Sequence, residues 1–375
     1  MELSELRKEL DAIDGQIADL YEKRMDICGE VADYKIKTGK KVYDPQREAQ
    51  KIDAIGELAH NEFNRKGLEE LLEQIMSTSR KLQYEKLTAA GTGMDIPFTE
   101  VPEIDTKNKK VVFQGADGAY SQLAMLRYFG DDVKCFHVDT FRDAMEAIKS
   151  GNADYAVLPI ENSTAGSVSQ IYDLLAEYDC CIAAEQIIAI NHCLMGIKGT
   201  DMADIQRVYS HPQSLMQSAG FLSEHPDWET ISMQNNAFAA QKVSRDNDKT
   251  QAAIASEQAA KIYGLDILRS GVNQEEHNET RFIIVTDKRI FRTDACKISI
   301  CFELPHKSGT LYRILSHFIY NDLNMTKIES RPLEGRNWEY RFFVDFSGNL
   351  KDSTVLSALL GISEESSKMK ILGCY

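Results

Sequence analysis

Apolar residues at Leu3, Leu6, Leu10, Ile13, Ile17, Leu20, Ile27, Val31 and Tyr34 recur at steps of three and four, the spacing that keeps side chains on one face of a helix. The pattern predicts one long helix, ended by Gly39. Asp44 followed by Pro45 offers an N-cap with proline at the first helical position, opening a second helix that carries Ile52, Ile55, Leu58 and Phe63. A third is expected after Gly67, along Leu68, Leu71, Leu72, Ile75 and Leu82. Residues 1–88 are therefore expected to form an all-α unit. Residues 89–108 mix Gly, Thr, Pro and acids without a period, as a solvated linker does.

From Val111 the texture changes to short β-branched runs alternating with helical stretches: VVF, YSQLAMLRYF, VKCFHV, FRDAMEAIKSG and YAVLPI. The alternation continues to RFIIVTD, so residues 109–288 are expected to be α/β, with enough chain for two lobes. Residues 296–375 run strand, helix, strand, strand, helix, strand, the βαββαβ order of an α+β ferredoxin-like sandwich. A length of 375 residues suits two or three domains, and 43% hydrophobic residues can fill their cores.

Forty-three basic against fifty-eight acidic residues leave a net charge of −15. Such a surface repels phosphate backbones and anionic lipid, so neither nucleic acid nor membrane is an expected partner and any anion site must be a local cluster. The charged start and the lack of a long apolar run point to a cytoplasmic protein. Eight cysteines without a CxxC pair are expected as reduced core thiols rather than a disulfide framework or a zinc site.

Candidate chemistry begins where polar residues enter the helical stripe. Positions 3, 10, 17, 24 and 31 hold Leu, Leu, Ile, Arg and Val, so Arg24 breaks the most apolar line of the long helix. Lys35 follows about 16 Å along the axis and nearly in register with it, close enough for two long side chains to meet one anion. On the third helix Ser79 stands where an apolar residue should follow Ile75, with Gln83 four residues on. Either these residues make a polar pocket inside a bundle, or they lie on a solvated flank with snorkelling stems. Asp44 by itself reads as a helix cap in preference to a ligand contact. Arg7 lies about 42 Å from Lys35 along an unbroken helix; it pairs on the surface with Asp11, or reaches the pocket from an antiparallel second copy.

These positions resemble the all-helical chorismate mutases over residues 3–86, through LRKELDAID, the pairs at 23–24 and 34–35, DPQRE at 44–48 and SRKLQ at 79–83. The resemblance implies that Arg24 and Arg47, with Arg7 of the partner subunit, hold the two carboxylates of chorismate. It further implies that Lys35 and Gln83 meet the ether oxygen, and that Asp44, Glu48 and Ser79 contact the ring hydroxyl or support the site. A Claisen rearrangement suits such residues, since it needs a compact conformer and donors at the ether oxygen but no nucleophile, metal or cofactor.

In the middle segment, polar residues gather where strands end: GADGAYS from Gly115, ENSTAGS from Glu161, which is expected to begin a helix, YSHPQ from Tyr209 and NETRF from Asn278. Strand ends of α/β sheets are where ligands collect. The first run is neither a phosphate loop nor a dinucleotide fingerprint, and is also readable as a simple turn. The runs VFQGADGAYS, LPIENSTAGSV, SHPQSLMQ, AAIA and NETRF resemble the prephenate dehydratases. That family implies a two-lobed, periplasmic-binding-protein-like α/β fold with catalysis centred on Thr280 and Arg281, and with Asn162, Ser163, Thr164, His211 and Gln217 lining the cleft. Glu161 and His211 stand as alternative proton sources, and His211 also suits a core or cap role. At Asn235-Asn236-Ala237 the chain departs from the family, which often has Ser or Thr before Ala, so no contact is carried onto Asn236.

Residues 297–372 resemble an ACT domain. The runs Ser308, Gly309, Thr310, Leu311 and Glu329, Ser330, Arg331, Pro332 are similar to the phenylalanine-binding pair of dehydratases, and a plain β-turn is the alternative for the first. Small residues before a helix let backbone N–H groups approach a carboxylate. Together the resemblances imply a bifunctional mutase–dehydratase of phenylalanine biosynthesis, acting on chorismate and prephenate, inhibited by phenylalanine, and working as a homodimer or higher homo-oligomer. The alternatives are an arogenate dehydratase and a non-catalytic amino-acid-sensing binding protein.

Overall fold

A computed structural model describes residues 2–275 and 277–375. The chain forms two compact units, Met1–Pro97 with Cys296–Lys370, and Phe98–Ala295 with Ile371–Tyr375.

In the first unit three helices, α1 (Leu3–Thr38), α2 (Pro45–Gly56) and α3 (Glu62–Ala89), come in the expected order. Gly39 closes α1 at φ 66°, and the Asp44 carboxylate caps α2 by accepting from the N–H of Arg47. The helix α3 starts earlier than its stripe suggests, because Asn61 accepts from the N–H of Asn64 and supplies a cap ahead of Gly67. Phe63 consequently belongs to α3 and not to α2. Only Gly29 and Ala32 of α1 are buried, and its Leu10, Ile13, Ile17 and Leu20 stay more than half exposed.

Residues 296–375 have the βαββαβ order. Strands Lys297–Glu303, Tyr340–Ser347 and Met325–Pro332 pair antiparallel in that spatial sequence, with helices Thr310–Tyr320 and Ser353–Glu365 between strands along the chain. The second of these helices packs on α3, so that Leu360 joins Ala32, Val42, Tyr84 and Leu87 in one apolar cluster.

The second unit has two lobes. In one, the parallel strands Lys134–Val138, Lys110–Gln114 and Tyr155–Asn162 are followed by Glu279–Thr286 and Cys181–Ala189, each antiparallel to the strand before it in that order. The other has five strands in the order Asp266–Ser270, Cys193–Gly196, Gln251–Ala255, Arg207–Ser210, Glu229–Ser232. Each lobe fills its own core, around Phe113, Val157 and Ile284 in the first and around Leu194, Val208 and Ile254 in the second. At the strand-to-helix turn of the first lobe Gly118 has φ 89°, and a Cβ there would lie 2.7 Å from the Cα of Ala259. Only glycine lets that turn come so close to the second lobe.

Three expectations are corrected. Residues 89–108 are not wholly a solvated linker: Thr99–Val101 pairs in parallel with Ile290–Arg292, and Ile104 is buried in the first lobe's core. The run ENSTAGS does not open a helix directly, because Gly166–Ser167 folds back on Glu161 and Asn162 and the helix begins at Ser169. The cysteines are not all in a core, since Cys135 and Cys296 are exposed.

Candidate active sites

The helices α1, α2 and α3 border a cavity of ≈ 220 Å³. Arg24 and Lys35 reach it from α1, Asp44, Arg47 and Glu48 from the head of α2, and Ser79 and Gln83 from α3. Arg24 Nη1 donates to Ser79 Oγ at 2.5 Å, and Lys35 Nζ donates to Gln83 Oε1 at 3.0 Å and to the Val42 carbonyl at 2.9 Å. The Gln83 amide is held in turn, its Nε2 donating to the Ser79 carbonyl. Lys51 and Arg80 complete a wall of five cations against the carboxylates of Asp44 and Glu48, a field suited to a dianion. Burial lowers the Lys35 pKa below that of an ordinary lysine, against the pull of Glu364, Asp44 and Glu48. Burial raises that of Glu48, although Arg80 opposes it. Arg7 is exposed on α1 and does not line the cavity.

A second cavity of ≈ 460 Å³ lies in the cleft of the two-lobed unit. Asn162, His211, Gln217 and Thr280 line it. Asn162 organises this wall: its Nδ2 donates to Thr280 Oγ1 at 2.9 Å and to Asn278 Oδ1 at 2.7 Å, while its Oδ1 accepts from Thr164 and from the N–H of Ala165. Gln217 Nε2 donates to Thr164 Oγ1 at 2.7 Å, which leaves Gln217 Oε1 to accept from His192 Nε2 at 3.0 Å. That arrangement places the His192 proton on Nε2, while the Tyr120 hydroxyl donates to the Asn191 carbonyl at 2.8 Å and lies 3.0 Å from His192 Nδ1. Burial holds both His192 and His211 below the usual imidazole pKa. His211 Nδ1 accepts from the N–H of Gln213 and caps the helix Pro212–Gln217.

Family models described as chorismate mutase type II and prephenate dehydratase match residues 6–84 and 111–290. A bifunctional chorismate mutase/prephenate dehydratase from Enterobacter agglomerans is 31% identical, over 99% of this chain and 95% of its own. The chain belongs to the bifunctional chorismate mutase/prephenate dehydratase family. It is an enzyme of phenylalanine biosynthesis that rearranges chorismate to prephenate and converts prephenate to phenylpyruvate. Among solved structures, the prephenate dehydratase of Arthrobacter aurescens in complex with L-Phe is 30% identical, with a TM-score of 0.65 over 71% of this chain and 89% of that one. A quorum-quenching acylase is 32% identical, with a TM-score of 0.66 over 71% of this chain and 97% of that one.

The dehydratase cleft departs from the sequence expectation at three residues. Arg281 does not line it beside Thr280: successive residues of a strand point to opposite faces, and the Arg281 guanidinium pairs instead with Glu185 at 3.4 Å and Glu161 at 3.6 Å. Ser163 and Thr164 brace the wall rather than line it. Ser163 Oγ donates to the His277 carbonyl and accepts from the N–H of Glu279, and Thr164 bridges Asn162 and Gln217. The cleft also holds residues that no motif announced. His192 and Tyr120 meet only through the fold, 72 positions apart. Asn236, left without an assigned contact, accepts from Ser210 Oγ and the His211 N–H, and the buried Asn235 Nδ2 has no hydrogen-bond partner among the described residues.

In the C-terminal segment Gly309, at φ 77°, opens the helix Thr310–Tyr320, and Thr310 Oγ1 donates back to the Lys307 carbonyl at 3.0 Å. Thr310 borders a cavity of ≈ 280 Å³, while Glu329, Ser330, Arg331 and Pro332 lie on the strand at the end of the sheet order.

Proposed function

We propose that the mutase reaction runs in the helical cavity and the dehydration at Thr280, with phenylalanine as feedback inhibitor through an ACT-type C-terminal segment. Arg24, Arg47 and Arg7 of the partner subunit hold the chorismate carboxylates in a compact conformer. As the C–O bond breaks and the C–C bond forms, Lys35 and the Gln83 amide meet the growing negative charge on the ether oxygen. In that arrangement the Gln83 amide has rotated from the one that accepts from Lys35.

Prephenate dianion with one proton yields phenylpyruvate, carbon dioxide and water. The ring carboxylate leaves as carbon dioxide, its bonding pair enters the ring, and the hydroxyl departs with the proton. Thr280 Oγ1 already accepts from Asn162, so its own hydrogen is directed to the departing hydroxyl. The net proton reaches that oxygen from solvent through Thr280, since neutral His211 is spent as a cap and Glu161 is paired with Arg281. Asn235 Nδ2 is a donor for substrate carboxylate. The observation that carries this reading is the gathering of Arg24, Lys35, Arg47, Glu48, Ser79 and Gln83 around one cavity.

Feedback control is supported by the backbone turn at Gly309 before a helix and by the Arthrobacter relative's complex with L-Phe. Ser308 and Gly309 N–H groups are proposed to meet the effector carboxylate, with Thr310 and Leu311 behind them, and Glu329 to meet its ammonium beside Ser330, Arg331 and Pro332. The uncovered apolar stripe of α1 supports a homodimer in which two such helices run antiparallel. One assay tests the scheme: with chorismate as substrate, chorismate loss and base-developed phenylpyruvate are followed with and without millimolar phenylalanine. Phenylalanine should depress phenylpyruvate formation; indifference to it would remove the inhibitor from the scheme.

A further inference from the structure

Arg80 is almost fully buried, yet it lies between two carboxylates. Its Nη1 donates to both oxygens of Glu48 at 2.6 Å, and its Nε and Nη2 donate to Glu365 at 2.9 and 3.3 Å. Glu365 ends the helix Ser353–Glu365 and also accepts from His317 Nε2 at 3.1 Å. Gly361 makes room for that contact, since a Cβ there would lie 2.4 Å from His317 Cε1. The adjacent Glu364 accepts from the N–H of Tyr43 at 2.8 Å and from the Tyr84 hydroxyl at 3.2 Å. The Tyr43 ring covers the guanidinium, 5.1 Å from centroid to Cζ. The wall of the mutase cavity is thus braced from behind by residues of the C-terminal βαββαβ segment.

We propose that Arg80, anchored by Glu365 and His317, is a positioning residue for the mutase reaction that fixes the Glu48 carboxylate at the cavity wall, so that the C-terminal segment of the same chain completes the mutase site. This rests on the assignment of Glu48 to chorismate made above. A glutamate on three free torsions does not hold one orientation by itself. A guanidinium clamped from its far edge does hold it, because planar donors fix both the position and the direction of an acceptor. Without Arg80, the partly buried Glu48 and the buried Glu365 would face each other with only His317 beside the latter, and one would take up a proton.

The test uses the full chain with chorismate, measuring mutase kcat, KM and the acid limb of the pH profile in the wild type, Glu48→Gln, Arg80→Met, Arg80→Lys and Glu365→Gln. The groups facing Glu48 are Arg80 from α3, Lys35 from α1, Tyr43, Asp44, Arg47 and Lys51 from its own end, Arg313 from Thr310–Tyr320, and Glu365 backed by His317. Arg80→Met should lower kcat roughly 10- to 100-fold with a smaller change in KM, since the arginines holding the substrate carboxylates stay. Its acid limb should move up in pH, because Glu48 loses its cation. Glu365→Gln should move the limb down, because a negative neighbour is removed and Arg80 is left to Glu48. Arg80→Lys should return the limb toward the wild-type position while leaving kcat partly reduced. Opposed shifts are not produced by loss of packing, and dehydratase turnover on prephenate in the same samples should be unchanged. Limbs of Arg80→Met and Glu365→Gln that coincide with the wild type would overturn the positioning role while Glu48→Gln remains impaired. Full mutase turnover in Glu48→Gln would overturn both the role and the assignment beneath it.

Discussion

At the scale of single residues, Thr280 and Lys35 carry the sharpest expectations. Among the described residues Thr280 Oγ1 accepts from Asn162 and donates to no protein group, so its hydrogen is available to substrate. Thr280→Ala should lower dehydratase kcat/KM on the order of 100-fold and leave the mutase rate unchanged, with Thr280→Ser largely restoring turnover. A loss of less than about threefold in the alanine variant would remove Thr280 from the chemistry. Lys35 has to be charged to meet the ether oxygen, and burial eases its deprotonation. Mutase kcat/KM should therefore fall with rising pH at a midpoint below the ordinary lysine value of about 10.4. Lys35→Arg, which keeps its proton at any accessible pH, should abolish that limb. Arg24, Ser79 and Gln83 were legible because a polar residue inside an apolar stripe is conspicuous. Arg80 was not, since its partner Glu365 lies 285 positions away along the chain. Arg281 lies apart from Thr280 in the fold although adjacent to it in the motif, because neighbours in a strand point to opposite faces.

At the scale of elements, caps set boundaries that apolar stripes alone miss. Asn61 starts α3 ahead of its hydrophobic face, and Thr99–Val101 is too short to have a period, being fixed only by its pairing with Ile290–Arg292. The helix Pro212–Gln217 depends on a titrating cap. His211 Nδ1 can accept from Gln213 only when unprotonated, and burial already favours that form. The folded-state pKa lies below the unfolded value of about 6.5, so this contribution is complete above that pH and is lost as pH falls through the folded value. His211→Asn keeps a capping oxygen and does not titrate. Thermal unfolding should show a smaller loss of Tm between neutral and mildly acidic pH in this variant than in the wild type, the difference being on the order of one cap, about 1 kcal/mol. Equal losses in the two proteins would dismiss the cap as a pH-sensitive element.

For the whole molecule, α1 is the informative feature. Its 36 residues carry an apolar face that this chain leaves open, and Arg7 lies too far along it to serve its own cavity. Replacing Ile13 and Ile17 by Glu should give a monomer in sedimentation, with mutase turnover lost and dehydratase turnover on prephenate retained. A dimer that persists with full mutase activity would refute the antiparallel pairing of α1. The two-lobed α/β fold and the βαββαβ order were readable because strand and helix periods alternate over long stretches. The packing of Ser353–Glu365 on α3 was not, since nothing in either stretch of chain names the other.

On the proposed antiparallel pairing of α1, in which one copy lends Arg7 to another, chorismate turnover obeys mass action while the covalently attached dehydratase ignores it. In a dilution series the rate per subunit of chorismate consumption should decline as subunits separate, whereas prephenate supplied from outside should be consumed at a constant specific rate. A cell holding little of this protein would therefore be limited at the earlier of the two reactions.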